Sequence, residues 1–341
     1  MFTKDIISWA KQFTKSKKFY IVTVLIIFSL VIPLVLTDDL SIRVFTLMAI
    51  FTIYASSWNL LATSGQGSLG HAAFLGIGGF TSSLLALNLG IPPIIGVFIG
   101  GLFSAGIGFL IGLTCVRLKA WFLGMVTFGF AIIAETLISQ FDEFTHGILG
   151  FRTAPLVPEG LPFYYPAVIL AISSVIIIYY IMKSKMGLAF RAIHQNESES
   201  KMIGINTPKY KLYAFIISTF FAGLAGGLYA HFLRFIRVEI FTPANSFEPL
   251  MMSVIGGLGS IEGPIIGSIM LVAIDSYLPR IDTFLPIING IRVGPYLRLL
   301  GLGIFLVLVV IFLPKGVTSL LRKVYKYLRT ENTKVNNIET K

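Results

Sequence analysis

Apolar runs, each close to the ~20 residues a helix needs to cross a hydrocarbon core, lie at about 19–36, 41–61, 71–89, 91–115, 121–139, 166–182, 212–233 and 297–313. None alternates with the two-residue period of a membrane-barrel strand. Backbone groups inside lipid must be satisfied within their own segment, so these runs predict helices. A ninth run, 249–274, is broken, because Gly256 to Pro264 holds four glycines, Glu262 and a proline, which a continuous lipid-facing helix tolerates poorly. The expected fold class is all-α: a polytopic membrane helical bundle of about 8 spanning helices plus a broken or re-entrant segment at 249–274.

Charge gives the crossings a direction. Of 27 Lys and Arg residues, 20 fall in four segments: five before residue 19, Arg117 with Lys119, six between Lys183 and Lys211, and seven after Leu313. The positive-inside rule puts those four in the cytoplasm. The intervening segments are acidic or mixed (Asp38, Asp39, Asp142, Glu143, Glu159) and face out. Seven crossings then bring the chain outside near Arg234, and the Lys-rich tail is inside again, so an odd number of crossings must join them. Since 297–313 supplies one, "MMSVIGGLGSIEGPIIGSIMLV" contributes none or two. Two half-helices entering and leaving from the outer side satisfy this, as does a kinked helix followed by a further span near Tyr277 to Ile291.

The resulting organisation is a cytoplasmic tail (1–18), a membrane domain (19–327) with a cytoplasmic elbow at 183–211, and a polar tail (328–341) whose composition suits disorder. The first apolar run is too long for a signal-peptide core and lacks a small-x-small cleavage site, so it reads as a retained helix. A net charge of +11 does not indicate nucleic acid, because the basic residues flank apolar runs instead of forming a basic face. The single Cys115 cannot form an intrachain disulfide.

Small residues mark close contacts. Gly96, Gly100, Ser104, Gly108 and Gly112 recur every four residues, and Ala222, Gly223, Gly226 and Gly227 repeat the device; such faces let helices approach closely, which ordinary packing explains. "SGQGSLGHAAFLGIGGF" differs. Gly65, Gly67 and Gly70 interrupt the path while Gln66, Ser68 and His71 bring polar groups to membrane depth. The stretch reads either as a turn with a fresh helix start aimed into the bundle, as in transporter sites, or as a short connecting loop.

Within the elbow, "RAIHQNESESKMIGINTPKYK" carries its own signals. Asn196 and Glu199 have capping-box spacing and Gly204 stands where a left-handed terminator belongs, predicting a helix at about 197–203. Thr207 and Pro208 look like the N-cap and first residue of the next span. Gly187 separates the preceding span from the amphipathic "LAFRAI". So short a helix is not stable alone in water, so something packs against it: a protein partner, or the membrane surface beneath an ordinary folded loop.

Taken in order, "GQGSLGHAAFLGIGGF", "RLKAWFLGMVTFGFA", the elbow with "LYAFIISTFFAGLAGGLYAHF", "VIGGLGSIEGPIIGS" and "GLGIFLVLVVIFLPKGV" resemble the permease subunits of branched-chain amino-acid ABC importers, of the LivM type. The resemblance implies a second homologous permease subunit, two ABC ATPase subunits and an extracytoplasmic substrate-binding protein as partners, besides membrane lipid. It also implies that the elbow docks on the ATPase through Gly187, Arg191, Ala192, Glu197, Glu199 and Gly204. "ESESK" departs from the small residues usual there.

No G-x-x-x-x-G-K-[ST] loop occurs, so energy must come from a partner or an ion gradient. The four histidines lack ligand spacing and no carboxylate pair stands out; no catalytic centre, metal or cofactor is expected, with ATP bound by the partners. The expected pathway walls are Gly65, Gln66, Ser68, Gly70 and His71, and Gly256, Gly257 and Gly259. Urea or amide permeases share the scaffold, and a self-contained carrier or channel is the rival from another class. Glu135, inside an apolar run but about a turn from its outer end, is that rival's best support.

Overall fold

The computed structural model describes residues 38–118, 120–157, 163–278, 294–313 and 316–320. The predicted tails 1–18 and 328–341, the first span 19–36, Lys119, Glu159 and residues 279–291 lie outside these.

Asp38 and Asp39 begin the first described helix, α1 (Asp39–Ala62), and Asp38 accepts hydrogen bonds from the amide and hydroxyl of Ser41. There follow α2 (His71–Leu89), α3 (Pro93–Cys115) and α4 (Ala120–Gln140), then the single turn α5 (Asp142–Thr145) and α6 (Tyr164–Lys183). The elbow holds α7 (Lys185–Gln195) and α8 (Glu197–Met202), and leads into the long α9 (Thr207–Leu233). The chain continues through α10 (Pro243–Gly256), α11 (Glu262–Tyr277) and α12 (Gly294–Phe312). Among the described residues, 6 helices are long and apolar enough to span a membrane: α1, α2, α3, α4 from Trp121, α6 and α9. Each coincides with a predicted run.

The broken run forms a helical hairpin. At 14 and 16 residues, α10 and α11 measure about 21 and 24 Å along their axes, short of a ~30 Å core. Methyl groups at Gly256 or Gly267 would overlap the backbone of Gly263 or Met252 across the pair, so the glycines that break the span also let its halves touch.

At the centre, α2, α3 and α9 share their small-residue faces. A methyl at Gly78 would overlap Gly223, and one at Gly100 would overlap the Gly78 carbonyl. The Ser104 hydroxyl donates to Thr219 O at 2.9 Å. On the other side α9 packs against α1, which also contacts α6, α10 and α11. By contrast α4 exposes Trp121, Phe122, Met125 and Ile133, the surface a lipid or partner contact requires. Opposite the elbow, β1 (Phe151–Arg152) pairs antiparallel with β2 (Phe235–Ile236), and His231 bridges Ser82 (2.8 Å) and Ala154 O (2.6 Å). Glu135 sits near this end, lining a surface cavity with Val238 and Glu239.

Candidate functional site

The elbow is built from interlocking caps. Ser184, not Gly187, ends the preceding span: its hydroxyl oxygen accepts from Met186 N at 3.2 Å and starts α7. Gly187 lies inside α7, where a methyl would overlap the Met182 backbone; it is a contact point and not the break. Arg191 reaches back to donate to Met182 O at 2.9 Å, tying α7 to the last turn of α6. Ala192 O accepts the amide of Asn196 at 3.1 Å.

Asn196 thereby closes α7 and opens α8. Its side-chain oxygen accepts from Ser198 N (3.0 Å) and Glu199 N (3.2 Å), as predicted. Because its own amide is engaged by Ala192, Glu199 returns to the Asn196 side-chain amide instead, at 2.6 Å. At the other end Gly204 has φ +86. Ile205 N donates to Ser200 O and Gly204 N to Lys201 O, the paired bonds of a Schellman motif, which needs a left-handed residue here. The next cap falls one residue earlier than predicted. Asn206 accepts from Lys209 N at 3.2 Å, while the Thr207 hydroxyl donates to Glu197 Oε1 at 3.3 Å.

Glu197 is the electrostatic centre of this region. It pairs with Lys201 at 2.9 Å and with the Lys211 ammonium, whose side chain is only 4% exposed. Partial burial pushes the Glu197 carboxyl up, but hydrogen bonds from Lys211 and Lys201 and their positive charges outweigh it and hold the group below its ordinary value. Arg191 and Glu197 are thus spent on fixing the elbow to α6 and α9. Outward, α8 leaves Ser198, Glu199 and Lys201 and, at its C-terminal end, two large apolar residues, Met202 and Ile203, 78% and 75% exposed. Composition could not single them out in so apolar a chain.

The break between α1 and α2 folds back along α1. Trp58 donates to Ser68 O at 2.8 Å, and His71 meets Ser57 at 2.9 Å and stacks on Tyr54 at 5.5 Å. Those α1 positions precede Ala62 by 4 to 8 residues, so α2 starts roughly 6–12 Å inside the end of α1. Gly70 packs on the Thr127 carbonyl, where a methyl would not fit, and Leu69 N donates to Thr127 Oγ1 at 3.1 Å. Ala72 N, in the first turn of α2, donates to Ser246 Oγ of α10 at 2.9 Å. The break is therefore no simple loop. Among the described residues, Gln66 Oε1, Ser68 Oγ, His71 Nδ1 and Ser56 Oγ are buried there without a partner; such groups are costly unless water or another arrangement satisfies them.

Elbow, break and hairpin tip converge at one place, the last turn of α1. A Cβ on Gly65 would lie 3.3 Å from His194 Cα, and Gln66 donates to Lys211 O at 2.9 Å. Asn59 grips the tip, its amide donating to Ser260 O (2.8 Å) and its carbonyl accepting from Gly259 N (2.9 Å). Gly256 and Gly257 stand just above it in the same turn, with Gly257 at φ +123. Sequence reasoning missed Asn59, Tyr54 and Lys211, each part of an ordinary apolar run or basic flank. No cluster of His, Cys, Asp and Glu among the described residues could hold a metal ion.

Comparison with known proteins gives the following. The family model described as branched-chain amino acid transport system / permease component matches residues 40–310. The chain is 28% identical over 313 residues to the high-affinity branched-chain amino acid transport system permease protein LivM of Salmonella typhimurium, spanning 83% of this chain and 71% of that protein. The Escherichia coli LivM gives the same 28%, 83% and 71%. With the LivH permease of Escherichia coli it shares 34% identity over 92 residues, 27% of this chain and 30% of that protein. At 15% identity and a TM-score of 0.42, the likeness to a solved chain of PsaBC from Streptococcus pneumoniae is too slight to bear on fold or function.

Proposed function

The chain belongs to the permease components of branched-chain amino acid transport systems, and from that premise we propose that it forms the translocation pathway of an ABC importer for branched-chain amino acids. It is a multi-pass membrane protein. Having no nucleotide loop of its own, it takes its work from two partner ATPases. Similarity to both LivM and LivH supports pairing with a second permease of the same family, and an extracytoplasmic receptor delivers the solute.

One observation carries the mechanical part of this reading: the elbow is pinned to three neighbouring elements. Arg191 holds it to α6, Glu197 and Lys211 hold it to α9, and Gly65 and Gln66 lie against it from the α1–α2 break. On this account the elbow and both termini are cytoplasmic, and Met202 and Ile203 press into the ATPase. Closure of the ATPases on ATP displaces the elbow as a unit. Gln66 and the Gly65 contact carry that displacement into the break, and Asn59 carries it to the hairpin tip at Gly256 to Gly259, so both walls of the pathway move together. Polar groups left unpartnered along the break are then suited to a path that is hydrated or occupied in another state.

The test is uptake of labelled leucine, isoleucine and valine into vesicles holding the chain with its cognate permease, ATPases and receptor. Accumulation that requires ATP and receptor supports the reading. Accumulation by the permease chains alone under a proton or sodium gradient would overturn it in favour of a secondary carrier. Uptake restricted to urea or amides would overturn the substrate.

A further inference from the structure

Opposite the elbow, the chain leaving α9 turns through β2 and back into α10 over a cavity of about 370 Å³, within the range of about 300–1,000 Å³ usual for small-molecule sites. Its floor is deep. Phe51 stands near the middle of α1 and Leu75 in the second turn of α2, so the cavity reaches from the β2 segment to about the centre of the bundle. Its mouth is flanked by Tyr229 and Leu233 at the end of α9.

The lining mixes two chemistries: Phe51, Leu75, Leu233, Ile236 and Ile240 are apolar, whereas Arg237, Glu239 and Glu248 bring charges of both signs. Arg237 Nε meets Glu239 Oε2 at 3.0 Å and its guanidinium lies 5.8 Å over the Phe235 ring, which holds the positive group at the rim. Glu248 belongs to α10, the half-helix, and is a partly buried carboxylate of the lining. Beneath the cavity, Tyr54 donates to the carbonyl of Asn245, another lining residue, at 3.3 Å and stacks on His71 of the break. The cavity is thus one side chain away from the moving parts.

We propose that this cavity is a transit site for a zwitterionic amino acid with an aliphatic side chain. The substrate carboxylate faces Arg237, whose planar fork suits it. Its ammonium faces Glu248 and Glu239, and its hydrocarbon enters between Phe51 and Leu75. A cationic side chain would have to be desolvated against that floor, and an anionic lipid headgroup would meet two carboxylates for one guanidinium. The proposal rests on the transport reading above and adds where, and by which groups, the solute is held.

The experiment uses the reconstituted complex. Cys115 is buried and is the sole cysteine, so Leu233→Cys in a Cys115→Ser background reports the mouth alone. Its modification by a methanethiosulfonate reagent should slow about tenfold when leucine exceeds its Kd about tenfold. Lysine should give no protection, and Glu248→Gln should abolish protection by leucine. Leu233→Trp, at a half-exposed rim position, should assemble normally and lose leucine uptake. A wild-type complex that accumulates leucine overturns the site, and the site only, if leucine gives no protection, if lysine protects equally, or if Leu233→Trp transports at the wild-type rate. A complex that accumulates no branched-chain amino acid overturns the transport reading and the site with it.

Discussion

The side-chain amide of Gln66 donates a hydrogen bond to the backbone carbonyl of Lys211 across 2.9 Å and 145 positions of sequence. The same nitrogen donates to Ser64 Oγ at 2.9 Å, and the residue is 3% exposed. This bond fastens the break in the first half of the bundle to the second turn of α9. Gln66→Leu, which roughly keeps volume, should cost about 1–3 kcal/mol for the lost buried bonds. The expected result is a lower melting midpoint in detergent and faster amide exchange over residues 63–70. Unchanged exchange would mean that the bond does not hold the break.

Asn59 makes both of its amide bonds to the hairpin tip. Asn59→Ala should cost about 1–3 kcal/mol through unsatisfied groups at Gly259 and Ser260. The effect should be local, with exchange rising at 256–261 while α3 and α9 stay protected. An effect spread evenly over the bundle would contradict a dedicated latch.

The Glu197 carboxyl, held below its ordinary value mainly against its own partial burial by Lys211 and Lys201, gives the elbow a pH dependence of fixed sign. A lowered folded-state value means that the carboxylate stabilises the elbow above its unfolded value of about 4.3. That contribution is lost as pH falls through the lowered folded value. Proteolysis within 196–206 should therefore accelerate only in acid. Glu197→Gln should be susceptible already at neutral pH, because the enclosed Lys211 ammonium then lacks its partner; about 1–3 kcal/mol is expected, discounted from a fully buried pair because Glu197 is one-third exposed. A variant whose cleavage follows the wild-type profile would show the pair to be idle.

Two glycines separate contact from propensity. A Val at Gly78 would strike the Gly223 backbone, which cannot yield as a side chain would, so Gly78→Val should exceed the usual ~1–3 kcal/mol of overpacking and abolish folded protein in the membrane. Gly106 faces open space, and Gly106→Ala should be stabilising by about 0.5–1 kcal/mol. The yield of folded protein for Gly78→Val and thermal unfolding of Gly106→Ala decide it.

The spans were legible because a run such as 71–89 has only one way to satisfy its backbone in lipid, and the observed His71–Leu89 follows it residue for residue. Gly204 was equally legible, since a glycine after a short capped helix has few other uses. The start of α9 was not. Asn206 and Thr207 are both good caps, and the choice was made by Glu197, ten residues away, which takes the Thr207 hydroxyl. Gly187 misled for a similar reason: a glycine signals either a break or a close approach, and only the neighbouring Met182 backbone tells them apart. Least visible was the meeting of Gly65 with His194, of Gln66 with Lys211 and of Asn59 with Gly259. These pairs share no periodicity and arise from packing of helices far apart in sequence.

The central claim is that α8 is the surface on which an ATPase presses. A photo-reactive residue at Ile203, 75% exposed and carrying none of the elbow's internal side-chain bonds, tests it most directly in the assembled transporter. The account predicts a cross-link to the ATPase subunit whose yield changes when ATP is trapped, and no such adduct from Ile148 at the opposite end. An ATPase adduct from 148 and none from 203, or labelling of 203 by an impermeant reagent from outside the cell, would contradict it.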